Sequence, residues 1–87
     1  MIPKQGEIWR HYKHDAAVTN SYTYKIVGIG LITDNSGERK VVIYQPLYTM
    51  PSPEAEQGIQ MFVRSLEEFM EEVEVGGERK PRFTKVS

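Results

Sequence analysis

Eight of the basic and aromatic residues of this 87-residue chain are candidates for holding a ligand through positive charge or an aromatic face. Arg and Lys attract anions, and an aromatic ring offers a surface on which a base or a peptide group stacks. The eight residues are Arg10, His11, Tyr12, Lys13, Tyr44, Tyr48, Arg64 and Arg82. They predict a binding surface for a protein, a peptide or a single-stranded nucleic acid. The alternative is structural, because Tyr and Arg also brace small β-domains with hydrogen bonds and buried apolar stems.

The two histidines stand near an acidic residue, in the order His11-x-x-His14-Asp15. This is the nearest pattern to a metal site in the sequence, because imidazole and carboxylate groups both bind zinc. An extended strand would splay the three groups to different sides, and a site would need a further ligand from elsewhere in the chain. We therefore predict no metal site and no bound cofactor.

A small-molecule-binding protein or an enzyme is the second functional hypothesis. It would use His11 as a general base, with Arg10 and Tyr44 beside it in a pocket. A run of acids resembles paired catalytic carboxylates, but such a run is usually the solvated side of a short helix. These acids are Glu67, Glu68, Glu71, Glu72 and Glu74. The sequence favours a non-catalytic protein, and we predict no catalytic residues and no hydrolase activity.

Length and composition restrict the class of protein. A chain of 87 residues is expected to form one domain over residues 1–87, with one modest core. The formal net charge is −1, so an anionic partner would need a local cluster of cations. The absence of cysteine excludes disulfides and favours a cytoplasmic location. We also expect no signal peptide and no membrane association, because no apolar stretch approaches about 18 residues.

The segment from Tyr22 to Tyr48 is predicted to form one long β-hairpin. Two runs rich in β-branched and aromatic residues flank the turn-favouring sequence Asp34-Asn35-Ser36-Gly37. The predicted cross-strand pairs are Leu31 with Lys40, Gly30 with Val41, Ile29 with Val42, Gly28 with Ile43 and Val27 with Tyr44. Glycines inside a strand predict a bulge or a bend. The wholly apolar stretch from Ile26 to Ile32 predicts a bent strand that passes from one sheet to another.

A short helix is predicted over residues 65–72. Ser65 and Glu68 fit the S-x-x-E capping box, in which the Ser hydroxyl accepts from the Glu amide. An apolar stripe at helical spacing follows, formed by Leu66, Phe69, Met70 and Val73. The helix is therefore expected to make about two turns and to pack this stripe against the sheet.

Shorter elements surround the hairpin. A first strand is predicted over residues 6–13, irregular loops over 14–21 and 49–58, and a short strand over 59–63. Gly76-Gly77 predicts a second tight hairpin turn, and Pro81 predicts an edge strand after it. The predicted core comprises Trp9, Ile26, Ile29, Val41, Ile43, Leu66 and Phe69.

Four sequence motifs occur here in an order characteristic of one known family. They are Gly6–Lys13 (GEIWRHYK), Val42–Tyr48 (VIYQPLY), Arg64–Phe69 (RSLEEF) and Pro81–Phe83 (PRF). Through them, and over nearly its whole length, the chain resembles the bacterial family called domain of unknown function 1653 (DUF1653). It departs from the family pattern at Ser65, where the pattern has proline, and its loops at 14–21 and 49–58 look longer than usual.

The resemblance implies a mostly β fold: a small SH3-like antiparallel barrel of about five strands with one short helix in the second half of the chain. It also implies a bacterial, cytosolic and non-secreted setting, but it brings no established activity. SH3-like barrels mostly bind peptides, proteins or nucleic acids, so the fold analogy points to binding. First and last strands are commonly neighbours in such a barrel. We therefore expect Arg10–Lys13 and Arg79–Arg82 to form one cationic patch, with the helix and its acids on a different side.

Overall fold

The protein is described by a computed structural model that covers residues 2–33, 37–48 and 61–87. The elements in these ranges are β1 (Ile8–His11), β2 (Thr23–Ile32), β3 (Arg39–Pro46), β4 (Phe62–Ser65), α1 (Leu66–Phe69), β5 (Glu72–Val75), β6 (Glu78–Pro81) and β7 (Phe83–Lys85). The centre of the predicted hairpin turn, the predicted loop at 49–58 and the first part of the predicted strand at 59–63 lie outside the described residues.

Five strands form one antiparallel sheet in the order β4-β3-β2-β1-β7, and β5 and β6 form a separate two-stranded sheet. This confirms the mostly β, antiparallel class with one short helix. The first and last strands are neighbours as predicted, because β1 pairs with β7. Among the described strands the sheet ends at β4 and β7, and no strand pair closes it into a barrel.

The register of the long hairpin is confirmed in its outer part, where all four predicted pairs from Leu31–Lys40 to Gly28–Ile43 are present. The predicted pairing of Val27 with Tyr44 is wrong, because a bulge at Val27 places Ile26 opposite Tyr44. Without this extra residue, Val27 would lie opposite the buried Tyr44, and Lys25, two residues away on the same face, would also point into the core. The bulge instead buries Ile26 and leaves Lys25 exposed. It also bends β2 within the five-stranded sheet, so the predicted passage into a second sheet does not occur.

The core is mainly aromatic. Its buried members are Trp9, Tyr24, Ile26, Val42, Tyr44, Phe69 and Phe83. Trp9, Ile26, Val41 and Phe69 are buried as predicted, whereas Ile43 and Leu66 are only half-buried. The prediction that Ile29 is buried is wrong, since it remains 40% exposed. Leu31 is exposed as well, which shows that the hairpin projects beyond the core on this side.

The helix is shorter than predicted. The Ser65 hydroxyl accepts a hydrogen bond from the Glu68 amide at 3.1 Å, as the capping box predicts. α1 nevertheless completes only one turn, so the predicted length of about two turns is wrong. The Arg82 side chain and amide bind the carbonyls of Glu68 and Glu71, the amide at 2.9 Å. Val73 and the residues around it therefore continue as β5, consistent with the strand preference of valine.

The second hairpin forms where Gly76-Gly77 predicts it, between β5 and β6. Both glycines have positive φ, +59° and +84°, which a tight turn of this kind requires and which residues with a side chain rarely adopt. Pro81 ends β6, which pairs only with β5 among the described strands, so the predicted edge position is confirmed. This hairpin brings Lys80 close to β1.

Candidate functional site

A cleft of about 350 Å³ lies between the end of β1, the end of β6 and β7. Its lining residues are Arg10, His11, Tyr12, His14, Lys80, Pro81, Thr84, Lys85 and Val86. Three of these carry a positive charge, and none of these described lining residues is acidic. We call this concavity the basic cleft. The β1–β7 pairing builds it, because it sets Arg10 directly opposite Thr84.

Arg10 reaches the cleft because strand residues alternate between the two faces of a sheet. Its neighbours Trp9 and His11 are buried on the core face, whereas Arg10 is half-buried on the other face. Its Nε donates to the Thr23 hydroxyl at 3.4 Å, a long hydrogen bond that uses one of the five guanidinium donors. The guanidinium is therefore tethered to the sheet while it lines the cleft.

Lys85 is positioned by a carboxylate outside the cleft lining. Its Nζ lies 3.2 Å from Oε2 of Glu7. Hydrogen bonds from the Lys4 amide and the Trp9 indole to Glu7 Oε1 lower the pKa of Glu7 to about 2, with Lys85 contributing less. Glu7 is therefore ionised at neutral pH and balances part of the Lys85 charge. Arg10 and Lys80 contribute the remaining positive charge of the lining.

Tyr12 supplies an aromatic face at the cleft. Its ring lies over the ring of His11, with centroids 4.5 Å apart and planes tilted by 32°. The Lys13 ammonium lies 5.9 Å from the Tyr12 ring centroid, and the Tyr12 amide donates to the Arg82 carbonyl at 2.9 Å. The Tyr12 ring therefore packs on the His11 ring and is half-buried. Such a ring can stack with a planar ligand.

Five of the eight residues singled out in the sequence lie outside the cleft lining, namely Lys13, Tyr44, Tyr48, Arg64 and Arg82. Tyr44 is buried in the core, and the Tyr48 hydroxyl lies 3.0 Å from that of Tyr24. Arg64 donates to the Tyr44 hydroxyl at 3.3 Å, and its guanidinium lies 5.5 Å from the centroid of the Phe83 ring. These contacts match the structural alternative considered for such residues. Their predicted role in binding remains a prediction.

Arg82 is likewise engaged within the molecule. Its Nε donates to the Glu68 carbonyl at 3.1 Å, and Nη2 lies 3.4 Å from Oε1 of Glu71. The expectation that the acids lie on a different side from this arginine is therefore wrong. The reason is the early end of α1, after which the Glu71 carbonyl accepts a hydrogen bond from the Arg82 amide at the junction between β6 and β7.

A family model described as "Protein of unknown function (DUF1653)" matches residues 7–85. The chain belongs to the DUF1653 family. Searches of curated proteins and of solved structures yield no match. The resemblance noted in the sequence is thereby confirmed, and the family description adds no activity.

His11 of this DUF1653 protein is poorly suited to act as a general base. Burial, followed by the charges of Arg64, Lys13 and Arg82, lowers the pKa of the imidazole to about 4. Its Nδ1 accepts a hydrogen bond from the Lys13 amide at 3.1 Å, so the proton of the neutral ring resides on Nε2. Arg10 also lies on the opposite face of β1 from His11. Arg10 and His11 both line the basic cleft, but Tyr44 is buried in the core, so the trio proposed for an enzyme does not share one pocket.

The low pKa of His11 predicts that acid destabilises the fold. Because the folded-state pKa of about 4 lies below the ordinary 6.5, the unfolded chain binds a proton first. Stability should be greatest above pH 6.5 and fall as the pH drops towards 4. Urea midpoints of wild type and His11→Gln, measured at about pH 7.5 and about pH 5, test this. We expect the variant to lose less stability between these pH values. An equal loss in both proteins would rule out His11 as the source.

The described residues contain no group of three or more His, Cys, Asp or Glu arranged to hold a metal ion. The His14 ring instead lies against the main chain, with its Nδ1 3.1 Å from the His11 carbonyl oxygen. No helix in the described part of the chain is long and apolar enough to cross a membrane.

Sequence reasoning missed part of the cleft. Lys80 belongs to the predicted cationic run and His14 was considered only as a metal ligand, whereas Lys85 and Thr84 were not singled out at all. Thr84 and Lys85 lie at the cleft because β7 pairs with β1, which joins residues from opposite ends of the described chain. One local signal was available: Phe83 is buried, and its neighbour Thr84 therefore faces the opposite side of the short strand β7, where the cleft lies.

Proposed function

We propose that this DUF1653 protein is a non-catalytic module that binds single-stranded nucleic acid in the basic cleft. The observation that carries the proposal is the composition of the cleft. Arg10, Lys80 and Lys85 line it without an acidic residue among the described lining, although the chain as a whole has a net charge of −1. A nearly neutral protein that concentrates cations in one concavity creates a local positive potential there.

The cations suit a phosphate backbone. Arg presents a planar fork of donors that matches phosphate oxygens, and Lys attracts the same group as a point charge. The Thr84 hydroxyl lies beside Arg10 in the register and adds a neutral donor of the kind commonly used on phosphates. These groups together can follow an extended anionic chain.

Tyr12 favours a nucleic acid over an acidic peptide as the ligand. Proteins that hold single strands combine a positive groove with aromatic rings on which unpaired bases stack. The half-buried Tyr12 ring lines the same cleft as the cations. An acidic peptide would use the charges but would make little use of the ring. A duplex hides the faces of its bases, so the proposal is limited to single strands.

We also propose that the protein acts in the bacterial cytoplasm. The resemblance of its motifs to a bacterial, non-secreted family supports this setting, as does a sequence without cysteine.

Salt dependence tests the proposed ligand. We expect a fluorescein-labelled single-stranded decamer to bind with an affinity that falls with salt, at a log–log slope of about −1.4 to −2. Arg10 and Lys80 each contribute about −0.7, and Lys85 contributes less because Glu7 lies beside it. Fluorescence anisotropy between about 25 and 200 mM KCl measures the slope. Lys80→Ala should make it shallower by about 0.7.

Lys40 provides the matched control, because it is an exposed lysine on β3 outside the cleft lining. Lys40→Ala should leave the slope of wild type unchanged. Equal effects of Lys40→Ala and Lys80→Ala would show that binding is not located in the cleft. Absence of binding at the lowest salt, or tighter binding of a labelled acidic peptide, would overturn the nucleic-acid proposal.

A further inference from the structure

A second concavity, of about 200 Å³, adjoins the basic cleft. It is lined by Arg10, His14, Asp15, Ala16, Val18, Thr19, Asn20, Ser21 and Thr23. We call it the loop pocket, because the segment between β1 and β2 forms most of its wall. Arg10 and His14 line both concavities, so the two meet at these side chains. The two concavities therefore lie side by side on the surface.

The loop pocket is preformed by hydrogen bonds within the segment. The His11 amide donates to the Tyr22 carbonyl at 2.9 Å and closes the base of the loop. The Asp15 amide donates to the Ser21 hydroxyl at 3.1 Å, which ties the two sides together. A compact loop with closed ends is a common carrier of function. Little ordering is therefore required when a ligand enters.

The lining of the loop pocket is polar, but its polar groups are mainly neutral, whereas those of the basic cleft include three cations. Its exposed side chains include the Thr19 hydroxyl and the Asn20 amide, which offer both donors and acceptors. An amide with both groups matches the paired donors and acceptors on a base edge. The pocket volume lies below the range of drug-sized sites, about 300–1,000 Å³, and suits one planar group.

We propose that the loop pocket takes a single unstacked base of the bound strand and reads its edge through Thr19 and Asn20. This inference rests on the proposed function, since the adjacent cleft must hold the backbone. Arg10 at the junction would contact the phosphate next to the base. The basic cleft then provides affinity without sequence preference, and the loop pocket provides the preference.

The double variant Thr19→Val/Asn20→Gly removes both polar groups with little strain. Asn20 has a positive φ of +57°, a conformation that glycine adopts freely and alanine does not. Valine preserves the branched shape of threonine. The probes are labelled decamers of deoxyadenylate, deoxycytidylate and deoxythymidylate, followed by anisotropy at constant salt. Differences in stacking strength and backbone flexibility also give modest preferences among these decamers, so edge recognition is reported by the part of the preference that the double variant loses.

We expect wild type to prefer one decamer over the others by roughly fivefold or more. In the double variant the preference should fall below roughly twofold while the salt slope stays that of wild type. Lys80→Ala should weaken all decamers alike. Equal binding of the three decamers by wild type, or a preference that survives in the double variant, would overturn the loop-pocket assignment and leave the proposed function standing. Absence of binding to every decamer would overturn both.

Discussion

Replacing Phe69 with alanine is expected to lower the free energy of unfolding by about 3–5 kcal/mol. Phe69 is completely buried. Its ring stacks on Phe83 with centroids 4.0 Å apart and meets Trp9 and Tyr44 edge-on at 5.5 Å each. The substitution removes the transfer energy of the ring and leaves a cavity between three other rings that cannot all close in. A domain of this length has a total stability of about 4–13 kcal/mol, so the variant would lose a large share of it.

Urea unfolding followed by circular dichroism measures this loss without relying on Trp9, whose surroundings the substitution changes. Met70→Ala is the matched control, because the next residue in the chain is 38% exposed and should cost less than about 1 kcal/mol. Similar midpoints for the two variants would show that the aromatic stack is not the centre of the core.

Reversing two charges in the basic cleft, with Arg10→Glu/Lys80→Glu, is expected to weaken binding of a single-stranded decamer by roughly 100-fold or more. A hydrogen bond to a charged group contributes about 1.5–3 kcal/mol, and this variant removes two such contacts and adds repulsion. Both residues lie at the surface, Lys80 exposed and Arg10 half-buried, so the fold should be retained. Anisotropy at low salt gives the affinity, and the urea midpoint verifies the fold.

Arg39→Glu/Lys40→Glu produces the same net charge on exposed positions of β3 outside the cleft. If binding depended only on total charge, this control would weaken it as strongly as the cleft variant does. We expect a loss of less than roughly fivefold, from long-range repulsion alone. A comparable loss in both variants would contradict a localised site.

Local patterns in the sequence predict most of the fold, and non-local packing decides the rest. The outer register of the hairpin, the Ser65 cap and the Gly76-Gly77 turn depend on neighbouring residues, and all three are confirmed. The bulge at Val27 was anticipated as an irregularity near Gly28, but its position is determined by the need to bury Ile26 rather than Lys25. The early end of α1 depends on Arg82, which is distant in sequence and is not visible in the helical periodicity.

The candidate site was predictable in its first strand and in the cationic run that contains Lys80. Arg10 and Tyr12 were singled out from residue type, and the structure places both in the lining of the basic cleft. Residue type alone could not separate them from Arg64 and Arg82, whose partners come from other elements. A guanidinium that braces a core and one that lines a cleft have the same sequence signature. Only the tertiary partners distinguish them.

The position of β1 between β2 and β7 has a consequence for the kinetics of folding. β1 is synthesised before β7, so one of its two edges finds its hydrogen-bond partner only when β7 exists. Contacts of such long sequence separation form slowly, after local hairpins such as β2–β3 and β5–β6. The basic cleft needs β1, β6 and β7 together. Nascent or partly folded chains would carry the hairpins without the cleft, so ligand binding would report completed folding of the whole sheet.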